Sequence, residues 1–433
     1  MTSKTTLAAF ALVLACGGTE RPGPATALSS ELVVETLAAS SGSSASAAAI
    51  AGQRAYLAGS YHGELKPAGA TGRGAFVHRI PAAKGWPRTW SAGSGQTVHV
   101  SAIDAAGETV AVALSRSSTG RPPRSTVVGL GSDGAQRWEL ELTTRVGFAT
   151  VSDLAVAEDG TVYAVGSFTG VLELAGSTLR GDGISDGFIA AIGSDGTARW
   201  AQRFGGAGGD QATAVAYDPA VGVVVSGWFS GEAAVQRATL ASNDDSVDGL
   251  LLRMRADGAL IWARQLGGAG TDTLIGVAAR GDQIAVVGTF ERSLLAGTQP
   301  IQSAGSSDIL VAVMSREAEP RWMQRLGGAG PDIAAGVALL GNGRLVVAGQ
   351  VGVPSRIGST TVDGSFYAVA PAGPEPTGWT LSPVEGNVTI TDVAADGRPV
   401  VAVTARGTVS LPGATITGSE AGTAAAIVPA ATP

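Results

Sequence analysis

Three aspartates occupy the same position in a repeated stretch and are the first candidates for chemistry. Asp210, Asp272 and Asp332 each end a glycine-rich segment (Gly-Gly-Ala-Gly-x-Asp) and lie ten residues after a tryptophan. If they begin the innermost strands of neighbouring units, they form an acidic arc at one mouth of a central channel, which would favour cations. The alternative is that each carboxylate accepts backbone N–H bonds from the glycine-rich turn.

A second acidic stretch resembles the first half of a calcium-binding loop. Asp244, Ser246 and Asp248 place oxygen atoms at alternate positions, and Gly249 is sixth. The twelfth position is Arg255, where such a loop needs a bidentate glutamate. These three residues are therefore calcium candidates only, and we predict no metal and no other cofactor. The alternative is that Asp248 accepts backbone N–H bonds at the start of a strand.

One serine motif suggests nucleophilic catalysis but lacks its structural context. Residues 183–187 fit the pattern G-x-S-x-G of a hydrolase nucleophile elbow, which needs a helix after the serine. A strand is predicted there instead, and the three histidines all lie early in the chain. We therefore expect no catalytic residue and no enzyme activity. Trp228 has no counterpart at its position in the other repeats, which makes it the candidate binding residue.

The N-terminus reads as an export signal. Lys4 precedes a short apolar run, residues 7–14, which is too short to span a membrane. Cys16, the single cysteine of the chain, follows this run directly, as in a bacterial lipoprotein signal. We predict a signal peptide over 1–15, lipidation of Cys16 and a flexible tether over 16–30. The alternative is an ordinary secretory signal. Gly17 after the cysteine favours the outer membrane, periplasmic or surface-facing.

The elements that would position these residues come from an internal repeat. Trp138, Trp200 and Trp262 are separated by 62 and 62 residues, and Trp322 follows after a further 60. In the clearest unit, the runs predicted as strands are 212–217, 222–229, 250–255 and 261–266. The pair Asp257-Gly258 between the third and fourth runs is typical of a tight hairpin.

These units predict an all-β fold, a seven-bladed β-propeller of four-stranded antiparallel blades. The blades are expected to begin near residues 44, 96, 148, 208, 270, 330 and 386, within a single domain over 31–433. The last unit stops before a fourth strand, and residues 31–38 form a strand-like run before the first unit. We expect that run to complete the last blade and close the ring, which removes an exposed edge. An eight-bladed ring and a linear solenoid are the alternatives.

The repeated text resembles a known family. Asp186-Gly187-Phe188-Ile189, the turn and tryptophan over 196–200, and the glycine-rich segment over 205–210 are similar to the tandem β-propeller repeats of the seven-bladed SBBP type. The resemblance is close in the third to fifth units. The sequence departs from it in the second unit, which lacks the aspartate, and in the last, which lacks the tryptophan. The resemblance implies a propeller in a secreted or lipid-anchored bacterial protein, and it implies no reaction or cofactor.

Composition narrows the function classes. The 29 Lys and Arg against 36 Asp and Glu give a net charge of -7, which argues against a nucleic-acid-binding surface. A single cysteine excludes a disulfide scaffold and a cysteine-based zinc site.

Taken together, these features favour a non-catalytic, lipid-anchored propeller of the bacterial cell envelope. We expect a monomer that touches the membrane only through its anchor and acts as a binding or scaffold module for a protein or a glycan. One alternative is an outer-membrane assembly scaffold lipoprotein. Another is a secreted carbohydrate-active enzyme that uses channel-mouth carboxylates. The enzyme predicts a polar pocket with perturbed carboxylates at the centre of the ring.

Overall fold

A computed structural model describes residues 7–15, 31–39, 43–52, 54–66, 68–80, 82–243, 246–296, 299–371, 378–395, 399–411, 414–417 and 421–427. Cys16, the segment 16–30 and Asp244 lie outside these ranges. Within them the secondary structure is β, with no α-helix. None of these residues forms a helix long and apolar enough to cross a membrane.

The described residues form seven main sheets, numbered here 1 to 7 along the chain. Sheet 1 contains Ser43–Ala51, Arg54–His62, Arg73–Ile80 and Arg88–Ser91. Sheet 2 contains Gln96–Ala106, Thr109–Ser118, Arg121–Gly131 and Gln136–Glu141. Sheet 3 contains Ala149–Val156, Val162–Phe168, Asp186–Ile192 and Ala198–Gly205. Sheet 4 contains Asp210–Asp218, Gly222–Ser230, Val247–Met254 and Leu260–Leu266. Sheet 5 contains Thr273–Arg280, Gln283–Phe290, Asp308–Ser315 and Pro320–Leu326. Sheet 6 contains Ile333–Leu339, Leu345–Ile357, Thr360–Ala370 and Thr380–Pro383. Each of these six sheets is an antiparallel meander in which chain order equals spatial order.

Short hairpins fill the connections between the second and third strands. Their strands are Leu65–Lys66, Val171–Leu174, Ser177–Arg180, Glu232–Val235, Ala238–Ala241, Ser293–Ala296 and Gln299–Gln302, with Thr143–Val146 and Gly268–Ala269 pairing against two of them. These insertions explain why the repeat is longer than four strands and tight turns require.

Sheet 7 differs from the others because both ends of the chain contribute to it. Glu385–Ala395, Pro399–Leu411 and Ala421–Ile427 come from the C-terminal end, with Ala414–Thr417 on a side branch. Leu7–Ala15 pairs in parallel with Ala421–Ile427, and Glu31–Ala39 pairs with Leu7–Ala15. We expected residues 31–38 to lie directly beside the last strand, and the structure differs here: they are one strand farther out. An edge strand offers its backbone groups to any extended segment, and residues 7–15 occupy this edge.

The core lies between neighbouring sheets, because the middle strands are buried on both faces. In the third strand of sheet 3, Asp186–Ile192, every residue is buried, whereas most residues of the outermost strand Ala198–Gly205 are partly or fully exposed. Phe204 of sheet 3 and Phe229 of sheet 4 share one buried cluster, and both are fully buried. Burying apolar area between sheets is the main stabilising term for such an arrangement.

The outermost strands carry indole side chains that bind the next sheet. Trp200 of sheet 3 donates from Nε1 to the carbonyl oxygen of Ala256 in sheet 4 at 2.9 Å. Trp262 of sheet 4 donates in the same way to Arg316 of sheet 5 at 3.0 Å. Each acceptor lies in the tight turn between the third and fourth strands of its sheet. These bonds tie successive sheets to each other at the periphery.

The tight turn needs glycine at one position for two independent reasons. Gly258 has φ +85°, a conformation that side chains disfavour. A Cβ atom at Gly258 would also lie 2.8 Å from Cδ2 of Trp200. The Asp-Gly pair predicted as a hairpin signal therefore also allows the indole to approach the turn.

Candidate functional site

The three repeated aspartates lie in the glycine-rich loops and are fully buried. Asp210, Asp272 and Asp332 are 0, 2 and 0 % exposed. In each, Oδ2 accepts a bond from a glycine N–H four residues earlier, at 2.9, 2.7 and 2.7 Å respectively. Such bonds hold the crossover loop against the start of the next sheet.

Burial changes the titration of these aspartates. Desolvation raises the pKa of Asp210 and of Asp272 to about 6, and it raises the pKa of Asp332 as well. None of the three lines the central cavity described below. The structure places their carboxyl groups among backbone N–H groups and not in a channel-mouth arc.

The calcium candidates and Trp228 are also placed by the structure. Asp248 accepts bonds from the Asn243 backbone N–H at 2.9 Å and from the Ser246 hydroxyl at 3.2 Å, so both of its oxygens have protein partners. Among the described residues, no group of three or more His, Cys, Asp and Glu side chains could hold a metal ion. Trp228 is half-buried on the second strand of sheet 4 and pairs with Gln211 across the strands.

The first strands of all seven main sheets line one cavity, which has a volume of about 1040 Å³. Each of these strands is the edge of its sheet and pairs on one side only. Each also contains a β-bulge at the same level, where one residue is skipped in the pairing. The skipped residues are Ser46, Ser101, Ser152, Thr213, Ile275, Ala335 and Thr391. A bulge re-aims neighbouring groups and is common beside functional sites.

Six acidic residues line this cavity, and three of them lie within three residues of a bulge: Asp104 of sheet 2, Asp153 of sheet 3 and Asp392 of sheet 7. The others lie with two arginines at or just beyond the ends of the inner strands: Glu158, Asp159, Asp218, Arg54 and Arg280. Asp153 and Asp392 directly follow the skipped residue, a position that is alanine or glycine in the other five sheets. The Asp104, Asp153 and Asp392 carboxyls are each half-buried, because one side faces the cavity and the rest lies against neighbouring strands.

These carboxyls also bridge neighbouring sheets. Asp104 accepts from the Val156 N–H at 2.6 Å, and Asp153 accepts from the Val215 N–H at 2.9 Å. Asp392 accepts from the Ala48 N–H at 3.0 Å, which joins sheet 7 to sheet 1. The first and last sheets are therefore direct neighbours around the cavity.

The cavity environment raises the pKa of all three groups. Desolvation raises the pKa of Asp104 to about 7 and that of Asp392 to about 6, and it raises the pKa of Asp153 well above its usual range. Repulsion from Asp392 adds to the first and third of these shifts. Near neutral pH the set therefore contains both protonated and ionised members, the condition for general acid and general base chemistry at one site.

Sequence reasoning missed these three residues because they do not repeat. The signal that could have found them is an ionisable residue inside an otherwise apolar inner strand, as in the stretches VSDLAV around Asp153 and TITDVAA around Asp392. A carboxyl in such a strand must be paired or protonated.

Seven main sheets surround one cavity, and the last is hydrogen-bonded to the first. The chain has a β-propeller-type fold. No protein-family model matches the chain, and no curated protein matches it. One similar solved structure is puromycin hydrolase, with 14% sequence identity and a TM-score of 0.49 over 87% of this chain and 54% of that chain. Another is the Pyrococcus horikoshii acylaminoacyl peptidase, with 8% identity and a TM-score of 0.44 over 87% of this chain and 52% of that chain. The chain spans about half the length of these two proteins. The periplasmic gluconolactonase of Pseudomonas aeruginosa is similar over 96% of this chain and 99% of its own length, with 13% sequence identity and a TM-score of 0.42.

The sequence favoured a non-catalytic binding or scaffold module, and this expectation is corrected, because candidate acid and base groups face one cavity. At identities of 8–14% the similar structures show the fold alone and assign no reaction to this chain. The cavity carboxyls lie outside the repeated positions, so the repeat gave no sign of them.

Proposed function

We propose that this propeller is a hydrolytic enzyme whose active site is the central cavity. The observation that carries the proposal is the set of three carboxyls with raised pKa values facing an open polar cavity. This is the arrangement expected of an acid–base enzyme.

The proposed step uses one ionised and one protonated carboxyl. Asp392, with the lower pKa, accepts a proton from a water molecule as the water attacks the substrate. Asp104, whose pKa of about 7 leaves a substantial fraction protonated near neutral pH, donates its proton to the leaving group. Burial raises the pKa of Asp153 well above its usual range, and this carboxyl accepts the Val215 N–H bond that joins sheet 3 to sheet 4. General acid and base groups of this kind contribute about 10²–10⁴-fold each to a rate.

A panel of chromogenic substrates tests the proposal. Nitrophenyl esters and nitrophenyl glycosides are assayed with the whole chain from pH 4 to 9. We expect hydrolysis of at least one class with a bell-shaped rate profile. Asp104→Asn and Asp392→Asn should each lower kcat about 100-fold or more, because asparagine can still accept the backbone bond but cannot exchange the proton.

The matched control is Asp195→Asn, which changes an exposed aspartate in the tight turn of sheet 3 and should leave the rate unchanged. Absence of hydrolysis for every substrate, or a rate that the two cavity variants do not alter, would remove the proposal.

We further propose that the seven main sheets are seven blades of a closed ring. If residues 1–15 are removed as a signal peptide, the edge of Ala421–Ile427 becomes available, and Glu31–Ala39 can pair there. Deleting residues 31–38 from the mature protein should then expose an edge, lower the unfolding midpoint and promote dimers, as measured by thermal unfolding and light scattering. A truncated protein as stable and monomeric as its parent would argue against closure by this segment.

We also propose that the protein is exported and held at the outer membrane by lipid on Cys16. The support is the short apolar run over 7–14 followed by the single cysteine of the chain. Cys16→Ser should move the protein from the membrane pellet and the detergent phase to the soluble fraction. Unchanged partition into detergent would contradict lipidation.

A further inference from the structure

The wall of the cavity is divided into a polar and an apolar side. The skipped residue of the bulge carries a hydroxyl on five sheets that follow one another around the ring, 7, 1, 2, 3 and 4: Thr391, Ser46, Ser101, Ser152 and Thr213. The same position is Ile275 in sheet 5 and Ala335 in sheet 6, each followed by a glycine. All seven positions are partly exposed. A ligand in the cavity therefore meets hydroxyls on one side and an apolar surface on the other.

The carboxyls lie on the polar side, since their sheets 2, 3 and 7 are among the five that carry hydroxyls. The inner strands are sheet edges toward the cavity and add backbone donors and acceptors, apart from the N–H groups of Ala48, Val156 and Val215, which donate to the three carboxyls. The polar side thus offers both kinds of hydrogen-bonding group at short spacing.

At the level of the bulges an anion would meet three acidic side chains, and the two arginines of the lining, Arg54 and Arg280, lie at or just beyond the ends of the inner strands, as do Glu158, Asp159 and Asp218. A neutral ligand that carries both donors and acceptors can bond to both kinds of group on the polar side.

The dimensions agree with a small molecule. Ligand cavities are about 300–1,000 Å³, and this one has about 1040 Å³. A ring compound with hydroxyls along its edges and C–H groups on its face matches both sides of the wall. Sugar rings have this distribution.

We infer that the cavity binds a small neutral polyhydroxylated ring compound, namely a mono- or disaccharide, as the substrate class of the proposed hydrolytic site. That this compound is a substrate rests on the proposed function, whereas its binding does not require hydrolysis. The hydroxyls of Ser46 and Ser101 hydrogen-bond the sugar edge, and Ile275 contacts its apolar face.

Calorimetric titration tests the inference. Cellobiose, maltose and lactose are compared at pH 7 with the amine-bearing chitosan disaccharide and with cellobiouronic acid, an anion. We expect at least one neutral disaccharide to bind, and the charged compounds to bind at least tenfold more weakly. Each lost hydrogen bond reduces affinity about two- to tenfold, so the double variant Ser46→Ala, Ser101→Ala should weaken binding about tenfold or more.

Ser177→Ala is the matched control, because Ser177 is exposed on a hairpin outside the cavity lining. Thermal unfolding of each variant establishes that it is folded. Tighter binding of the amine or the anion, no binding of any neutral disaccharide, or binding unaffected by the double variant would overturn the inference. Hydrolysis of an ester without sugar binding would defeat this inference alone, whereas sugar binding without any hydrolysis would defeat the proposed function alone.

Discussion

Trp262→Ala lowers the free energy of unfolding by about 3–5 kcal/mol, the usual effect of truncating a buried aromatic side chain. Trp262 is 7% exposed and belongs to the apolar cluster between sheets 4 and 5. The variant loses the buried area of the indole, leaves a cavity and deprives the Arg316 carbonyl of its donor. The loss is a large share of the roughly 5–15 kcal/mol that stabilises an ordinary domain.

Denaturant unfolding measures the effect, and Trp228→Ala is the comparison. Trp228 is half-buried on a second strand, so its truncation removes less area from the interior. We expect a loss of about 1–2 kcal/mol for Trp228→Ala, at the low end of core substitutions. Equal small losses for both variants would mean that the indoles of the outer strands do not hold neighbouring sheets together.

Raising the pH from 5 to 8 destabilises the protein through its cavity carboxyls. Their pKa values are higher in the folded protein than in the unfolded chain, where aspartate has about 3.8. Between the two values the folded state binds more protons, so stability falls as pH rises. The contribution is complete below about pH 4 and is lost by about pH 7 for Asp104 and about pH 6 for Asp392. At about 1.4 kcal/mol per pKa unit, the Asp104 shift corresponds to at most about 4 kcal/mol.

Thermal unfolding at fixed ionic strength across this pH range measures the slope. Asp104→Asn should reduce the slope, because asparagine does not titrate. Other aspartates whose pKa values are also raised retain part of it: Asp210, Asp272 and Asp392. Asp195→Asn is the control: a bond from the Thr197 N–H lowers the pKa of Asp195, so its contribution falls below the measured range. A slope that Asp104→Asn leaves unchanged, or stability that increases up to pH 8, would contradict the assignment.

The sequence was most informative for the strands and turns that recur in each unit. Residues predicted as strands at 222–229 and 261–266 lie in the strands Gly222–Ser230 and Leu260–Leu266, because β-branched or alternating runs and Asp-Gly turns are local signals. The all-β class follows from such elements. Which segment occupies the edge of sheet 7 depends on pairing between distant parts of the chain, which local patterns do not encode.

The site was less predictable for a related reason. Repetition draws attention to Asp210 and its equivalents, and those positions repeat because each loop needs the same N–H acceptor. Asp104, Asp153 and Asp392 come together only when the inner strands converge on the cavity. Their proximity results from the arrangement of the sheets around the cavity. Asp153 and Asp392 are 239 residues apart in the sequence, so their spacing does not predict that they lie close together.

The indole-to-turn bond has a consequence for how this chain could have grown. The acceptor turn around Ala256 and the donor Trp262 lie in the same unit, six residues apart, although each bonds to a different neighbour. A unit therefore carries the acceptor of the hydrogen bond to its predecessor and the donor of the hydrogen bond to its successor. Tandem duplication of such a 62-residue stretch copies both the indole donor and the turn acceptor in frame, so the new copy already carries the groups that bond to its predecessor and to its successor.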